Sequence, residues 1–112
     1  MALEHAQPLE IIGILPLGAQ LRQTKSHSLI KTDKLQLMRV VLPAGERMPQ
    51  HHVEGEVSIH CIEGRATVST ASRSCTLEPG QLVVLPGGES HSVKGDQDCS
   101  LLVTLLLHQH KN

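Results

Sequence analysis

Turn-forming residues recur along this chain at short intervals, and this spacing constrains the fold more than any other feature. Short apolar or alternating runs are separated by the clusters TDK (32–34), PAG (43–45), EG (63–64), EPG (78–80) and PGG (86–88). Proline removes a backbone donor and glycine accepts a positive φ, so such clusters end strands and reverse the chain. Beyond residue 25 no apolar pattern has helical periodicity over a useful length. Seven or eight short strands are therefore predicted, which favours an all-β sandwich or barrel.

The composition of the runs indicates how deeply each strand is buried. The predicted strands cover residues 28–31, 35–42, 57–62, 65–70, 74–77, 81–85, 91–93 and 99–107. Residues 35–42 are apolar on both faces, which is typical of a strand in the middle of a sheet. Residues 81–85 are also a buried-type run by this criterion. Residues 57–62 alternate instead, as expected when one face of a strand packs on the core.

The ends of the chain differ from the middle, and the 112 residues suggest one barrel domain with two appendages. Residues 1–25 include the apolar stretch LEIIGILPLGAQL, whose two glycines and proline disfavour a helix, so an N-terminal arm or edge strand is predicted. The barrel domain is assigned to residues 26–107, and residues 108–112 form a polar tail. The arm and residues 101–107 hold more leucine than one small barrel buries, which predicts a symmetric homodimer.

Composition excludes several classes of function. The net charge is −1 with both signs interspersed, so a nucleic-acid-binding surface is not expected. No apolar run approaches the roughly 18 residues of a membrane span, and the first residues do not resemble a secretory signal. A cytoplasmic protein without membrane contact is expected. The chain has no Phe, Tyr or Trp, so its pocket cannot stack on a sugar or a base.

Histidines and carboxylates concentrate in residues 51–64, HHVEGEVSIHCIEG, and a further histidine, His91, follows the PGG turn. Imidazole and carboxylate groups are ligands for transition metals when three or four of them converge. This concentration makes a metal site one interpretation of the segment.

Two stretches resemble the cupin superfamily, whose members are small jelly-roll β-barrels of the RmlC-like type. The first family motif is Gly, five residues, His-x-His, three or four residues, Glu, six residues, Gly, and here Gly45, His51 and Gly64 match it. The second motif is Gly, five residues, Pro-x-Gly, two residues, His, three residues, Asn. Its match is formed by Gly80, Pro86, Gly88 and His91, with Gly95 in place of the asparagine. The resemblance spans residues 26–107 and implies an all-β, single-domain cupin barrel.

The resemblance also implies where a metal would bind, and the motif register leaves two interpretations. In strict register His51 and His91 occupy ligand positions, whereas Val53 and Val57 stand where the family carries its second histidine and its glutamate. Alternatively, a bulge around Glu54 and Gly55 shifts the strand, because a one-residue offset turns every side chain to the other face. His52 and Glu56 would then join His51 and His91 around a divalent transition metal (Zn, Ni, Fe or Mn).

In strict register the barrel mouth is the ligand site, with the polar groups of His51 and His91 and an apolar wall of Met48, Val53, Val57 and Ile59. Such a pocket suits a small, mainly aliphatic ligand with one carboxylate or hydroxyl, bound with a weak metal site or none. The alternatives are a metal-dependent enzyme of the dioxygenase or isomerase kind found among cupins, and a structural or interaction barrel. The sequence leaves open whether the protein is an enzyme.

Overall fold

The protein folds into two antiparallel β-sheets. The computed structural model describes residues 5–51 and 53–107, without the side chains of residues 49–51. Within these residues a 3-10 helix at Gly18–Gln23 precedes nine strands: β1 (His27–Lys31), β2 (Leu35–Leu42), β3 (Arg47–His51), β4 (Val57–Glu63), β5 (Ala66–Ser69), β6 (Ser74–Leu77), β7 (Leu82–Leu85), β8 (His91–Gly95) and β9 (Cys99–Leu106). The polar tail predicted at 108–112 lies outside the described residues.

The strand order confirms the all-β jelly-roll prediction. One sheet has the order β1-β2-β9-β4-β7 and the other β3-β8-β5-β6, so neighbours in space are often distant in sequence. β2 lies between β1 and β9, which confirms the central position predicted for residues 35–42. The single helix in the described part of the chain has six residues, too few to cross a bilayer.

The core fills the space between the two sheets with aliphatic side chains. Alternate residues of β4 are buried, and Val57, Ile59 and Cys61 are 2%, 1% and 0% exposed. Ser58 and His60 between them are half-buried on the outer face. This alternation is what strict motif register predicts for β4. The other strands contribute Val40, Leu42, Ala66, Val68, Leu77, Leu85, Val93, Cys99, Leu101 and Val103 to the same cluster.

Two strands differ from the sequence prediction. The sequence predicts no strand over residues 47–51, yet they form β3 by pairing with β8 across a bulge between Met48 and His51. Sequence analysis misses β3 because Pro49 argues against a strand. The structure accommodates this proline because β3 is an edge strand with a bulge, where proline is tolerated. The buried-type prediction for residues 81–85 is also wrong. Leu82 and Val84 are 55% and 59% exposed, because β7 is an edge strand with one bare face.

The segment before β1 is fastened to the outside of the five-stranded sheet. The Glu63 carboxylate accepts hydrogen bonds from the backbone N–H groups of Leu17 at 2.8 Å and Gly18 at 3.0 Å, and from the Ser100 hydroxyl. The buried guanidinium of Arg39 donates to the Leu15 carbonyl oxygen at 2.9 Å. We call Glu63, Ser100 and Arg39 the clasp. Because a half-buried carboxylate and a buried guanidinium both gain from partners, the clasp holds the arm in one place.

Candidate functional site

Among the side chains that the structure describes, His91 is the buried polar one on the inner surface of the four-stranded sheet. It is the first residue of β8, is 2% exposed, and shares its face with Val93, which is 1% exposed. Its Nδ1 lies 3.4 Å from the carbonyl oxygen of Glu89. When Nδ1 carries the proton it donates to this oxygen, and Nε2 is then the acceptor nitrogen of the ring. His91 therefore sits where the second motif of the sequence predicts a site histidine.

His51 lies directly across from His91. It is the last residue of β3, and the two backbones are paired at this position in antiparallel register. The two motif histidines, forty residues apart in sequence, thus meet at one end of the four-stranded sheet. The His51 side chain and the whole of His52 lie outside the described part of the chain.

The position of the family glutamate is occupied by a core residue. Val57 begins β4, pairs with Leu85 and Leu105 on its two sides, and is 2% exposed. Glu56 is exposed, and its carbonyl oxygen accepts a hydrogen bond from the backbone N–H of Leu106 at 2.9 Å. The strand therefore has the unshifted register, in which Glu56 is turned away from the core.

The loop that carries Val53 is held against the loop that precedes His91. Gly88 donates its N–H to the Val53 carbonyl oxygen at 2.8 Å. A side chain at Gly87 would overlap the Glu54 carbonyl oxygen, so only glycine allows the two loops to approach this closely. Met48 and Val53 are half-buried and pack against the core. Of the predicted wall, Met48 and Val53 border the core, whereas Val57 and Ile59 lie within it.

The donor set described around His91 does not fit a four-ligand metal centre. Among the side chains described for residues 5–48 and 53–107, no three His, Cys, Asp or Glu groups converge on one point. Val57 removes the carboxylate position, and Val53 replaces an imidazole with a side chain that has no lone pair. A tight zinc or iron site requires three or four protein ligands, so we derive no chemistry through a metal here.

The open space at this end of the molecule is not predicted by the sequence. A cavity of about 380 Å³ lies where the edge strands β6 and β7 of the two sheets face each other, and we call it the edge cleft. Its described lining is Val68, Thr70, Ser72, Arg73, Ser74, Cys75, Val83, Val84, Leu85, Pro86 and Glu89. The edge cleft exists because β6 and β7 do not pair with each other, which is a property of the topology and leaves no local signal in the sequence.

The edge cleft adjoins the His91 region through two elements. Glu89 lines the cleft, and its carbonyl oxygen is the group that faces His91 Nδ1. Val68 of β5 lines the cleft and pairs with Val93 of β8, two residues after His91. None of the six predicted pocket residues is among its described lining. The structure thus places the open volume beside the predicted site, on the side of β5 and β6.

Comparison with known families settles the relationship that the motifs indicated. A family model described as Cupin domain matches residues 38–105, from the middle of β2 to the last but one residue of β9. The chain belongs to the cupin family. The matched region includes both motifs and the inner surface that carries His91, so the resemblance noted in the sequence is confirmed for this cupin.

Solved structures share the fold of this cupin at low sequence identity. A cupin superfamily protein from Desulfitobacterium hafniense has 18% identity and a TM-score of 0.77, over 94% of this chain and 100% of that one. An RmlC-like cupin with a double-stranded β-helix fold from Methanocaldococcus jannaschii has 23% identity and a TM-score of 0.73, over 91% and 94%. A Streptococcus pyogenes protein of unknown function has 18% identity and a TM-score of 0.75, over 98% and 100%. No curated protein matches the chain.

Proposed function

We propose that this cupin binds a small, mainly aliphatic molecule at the end of the barrel where His51 and His91 are paired. The observation that supports this proposal is the buried imidazole of His91, 2% exposed, beside the aliphatic side chains described on the inner surface and close to an open cavity. A ligand pocket typically combines an apolar lining with a few convergent polar groups. Met48 and Val53 would form its wall, with Val57 and Ile59 as the packed layer behind.

The two histidines would bind the polar part of the ligand. A histidine pair can donate to a carboxylate or exchange a hydrogen bond with a hydroxyl, whichever tautomer is present. The aliphatic remainder of the ligand follows from the chain itself, which contains no aromatic residue to stack on a ring. A divalent transition metal would bind only weakly, because His51 and His91 are the two family ligand positions that still carry donors.

Replacing the central histidine tests the proposal. We expect His91→Ala to abolish binding of any ligand found by a thermal-shift screen of small aliphatic acids and alcohols. Its free energy of unfolding should change by no more than about 1 to 2 kcal/mol, since no large apolar cavity is created. His60→Ala is the matched control, because His60 is half-buried on the outer face of β4. Equal loss of binding in both variants, or failure of His91→Ala to fold, contradicts the proposal.

Elemental analysis of protein purified without added metal distinguishes this function from a metal-dependent enzyme. We expect much less than one transition metal ion per chain. About one tightly held ion per chain would instead favour the enzyme and refute the weak-metal part of the proposal.

A reducing compartment such as the cytoplasm is also proposed. The three free cysteines, Cys61, Cys75 and Cys99, support it, because thiols stay reduced there.

A further inference from the structure

The edge cleft carries two opposite charges that belong to no ion pair among the described residues. Arg73, in the turn between β5 and β6, and Glu89, in the loop before β8, both line it. The ion pairs in the described part of the chain are Arg22–Asp98 and Arg65–Glu78, and neither includes a charge of the cleft. Arg73 is exposed and Glu89 is half-buried, so water reaches both charges. A bound molecule could therefore pair with both of them.

The floor of the edge cleft is aliphatic. Val68 is 3% and Leu85 9% exposed, and Val83 is half-buried between them and the solvent. Their side chains lie on the inner faces of β5 and β7, so a ligand seated here would reach toward the space between the sheets. The volume of about 380 Å³ is at the lower end for ligand pockets, which restricts the occupant to a small molecule.

We propose that the edge cleft binds a small aliphatic amino acid, or a zwitterion of the same shape, with its carboxylate on Arg73 and its ammonium near Glu89. The guanidinium suits a carboxylate because its N–H groups match the two oxygens in a planar, bidentate arrangement. Ser72 and Ser74 also line the cleft, and their hydroxyls would donate further hydrogen bonds to the carboxylate. A zwitterion pairs with both charges of the cleft, whereas a ligand with one charge pairs with only one of them, so the zwitterion is preferred. None of the six predicted pocket residues lines the edge cleft, so this is a second site and the inference goes beyond the proposed function.

The exposed thiol of Cys75 lines the cleft, so its rate of alkylation can be used to measure ligand binding there. Cys61 and Cys99 are both 0% exposed. Burial raises the pKa of the Cys61 thiol, and burial together with the nearby Cys61 raises the pKa of Cys99 to about 12. Thiolate is the reactive form, so only Cys75 should react quickly with iodoacetamide in the folded chain. Mass spectrometry of the intact protein then measures its alkylation rate.

The experiment compares three probes of the same aliphatic shape: L-leucine, 4-methylpentanoate without the ammonium, and isopentylamine without the carboxylate. We expect L-leucine to slow alkylation of Cys75 saturably, and each single-charge probe to need at least tenfold higher concentration. Arg73→Gln and Glu89→Gln should each weaken protection by L-leucine at least tenfold. Arg47→Gln is the matched control, since Arg47 is an exposed arginine in the same sheet that does not line the cleft.

The outcomes test this inference separately from the proposed function. If 4-methylpentanoate protects as well as L-leucine, the zwitterion is wrong but binding of a small aliphatic molecule stands. If no probe protects Cys75, or Arg73→Gln leaves protection unchanged, the site assignment is overturned. We expect His91→Ala to leave protection by L-leucine intact, because His91 does not line the cleft. Loss of protection in a folded His91→Ala variant would overturn the assignment of a second site.

Discussion

His51 and His91 are register partners across β3 and β8, and the bulge between Met48 and His51 sets that pairing. The bulge adds one residue to β3, so the residue that pairs with His91 is His51 rather than Gln50. Cα atoms of directly opposed residues in an antiparallel pair are about 4.5 to 5.5 Å apart. The fold therefore places the backbones of the two motif histidines opposite each other, while Val57 is part of the packed core.

Restoring the missing ligands should create a strong metal site. We expect Val53→His with Val57→Glu to raise the affinity for zinc or nickel by orders of magnitude, because four donors would then converge. Without metal the double variant should be less stable by at least about 2 kcal/mol, since a carboxylate replaces a buried valine. Isothermal titration and urea unfolding measure the two effects. Glu56→Ala is the control. Tight binding by the wild type that Glu56→Ala alone removes would refute the unshifted register.

The clasp predicts sensitivity to acid. Burial raises the pKa of Glu63, but hydrogen bonds from Leu17, Ser100 and Gly18 and the charge of Arg39 outweigh it, so the pKa lies below its ordinary value of 4.5. A lowered pKa stabilises the fold fully above the unfolded-state value, and that stability is lost as the pH falls through the folded-state pKa.

Urea unfolding at a series of pH values tests the clasp. The wild type should begin to lose stability as the pH falls below the ordinary value of 4.5, because Glu63 takes up its proton in the unfolded chain before it does in the folded one. Glu63→Gln should be less stable near pH 7, and the loss on acidification should be smaller. Asp98 also contributes to the pH dependence of stability in both proteins, because the Ala44 N–H and Arg22 lower its pKa. Identical pH profiles would show that the clasp contributes nothing to stability.

Alanine substitutions at two glycines with similar φ distinguish the cost of backbone strain from the cost of steric overlap. Gly64 and Gly80 have φ of 77° and 86°. A Cβ at Gly64 would overlap the Asp98 carbonyl oxygen and contact Cys99, whereas a Cβ at Gly80 meets nothing within 4 Å. We expect Gly80→Ala to cost about 1 kcal/mol from strain alone. Gly64→Ala should cost about 2 to 4 kcal/mol, because overpacking adds to strain. Equal losses in chemical denaturation would show that the overlap at Gly64 adds nothing to the strain.

Exposed apolar side chains support the homodimer that we propose. Leu82 and Leu106 are 55% and 42% exposed on the outer face of the five-stranded sheet, and Leu9 and Ile11 of the arm are 102% and 94% exposed. Exposed apolar patches of this kind commonly mark an interface. Light scattering at micromolar concentration should report about twice 12.2 kDa.

Substitution locates the interface of that dimer. Leu82→Glu with Leu106→Glu should give a folded monomer, because two buried charges at a two-fold interface would be repeated on both subunits. Lys94→Glu, on the exposed outer side of the other sheet, is the control and should remain dimeric. A wild-type protein that is monomeric at these concentrations would refute the dimer, and a dimeric double variant would exclude this face.

Much of the fold is encoded locally. Gly45, Gly64, Gly80 and Gly88 all adopt the positive φ that glycine accepts without strain, so the turns could be predicted residue by residue. The alternation from Val57 to Cys61 predicted the buried face of β4, because side-chain direction in a strand has a period of two. His91 was predicted as a site position from the resemblance to cupins, because its spacing from Gly80 and Gly88 matches the second motif.

Other features depend on contacts between distant segments. β3 forms around Pro49 only because β8 is available to pair with it, and β7 exposes Leu82 and Val84 because the sheet order places it at an edge. The edge cleft has the same origin, since it lies where the edges of two sheets face each other. Local sequence sets turns, strand faces and motif spacing through short-range sterics. Edges, cavities and the clasp arise from long-range packing, so only the tertiary structure decides them.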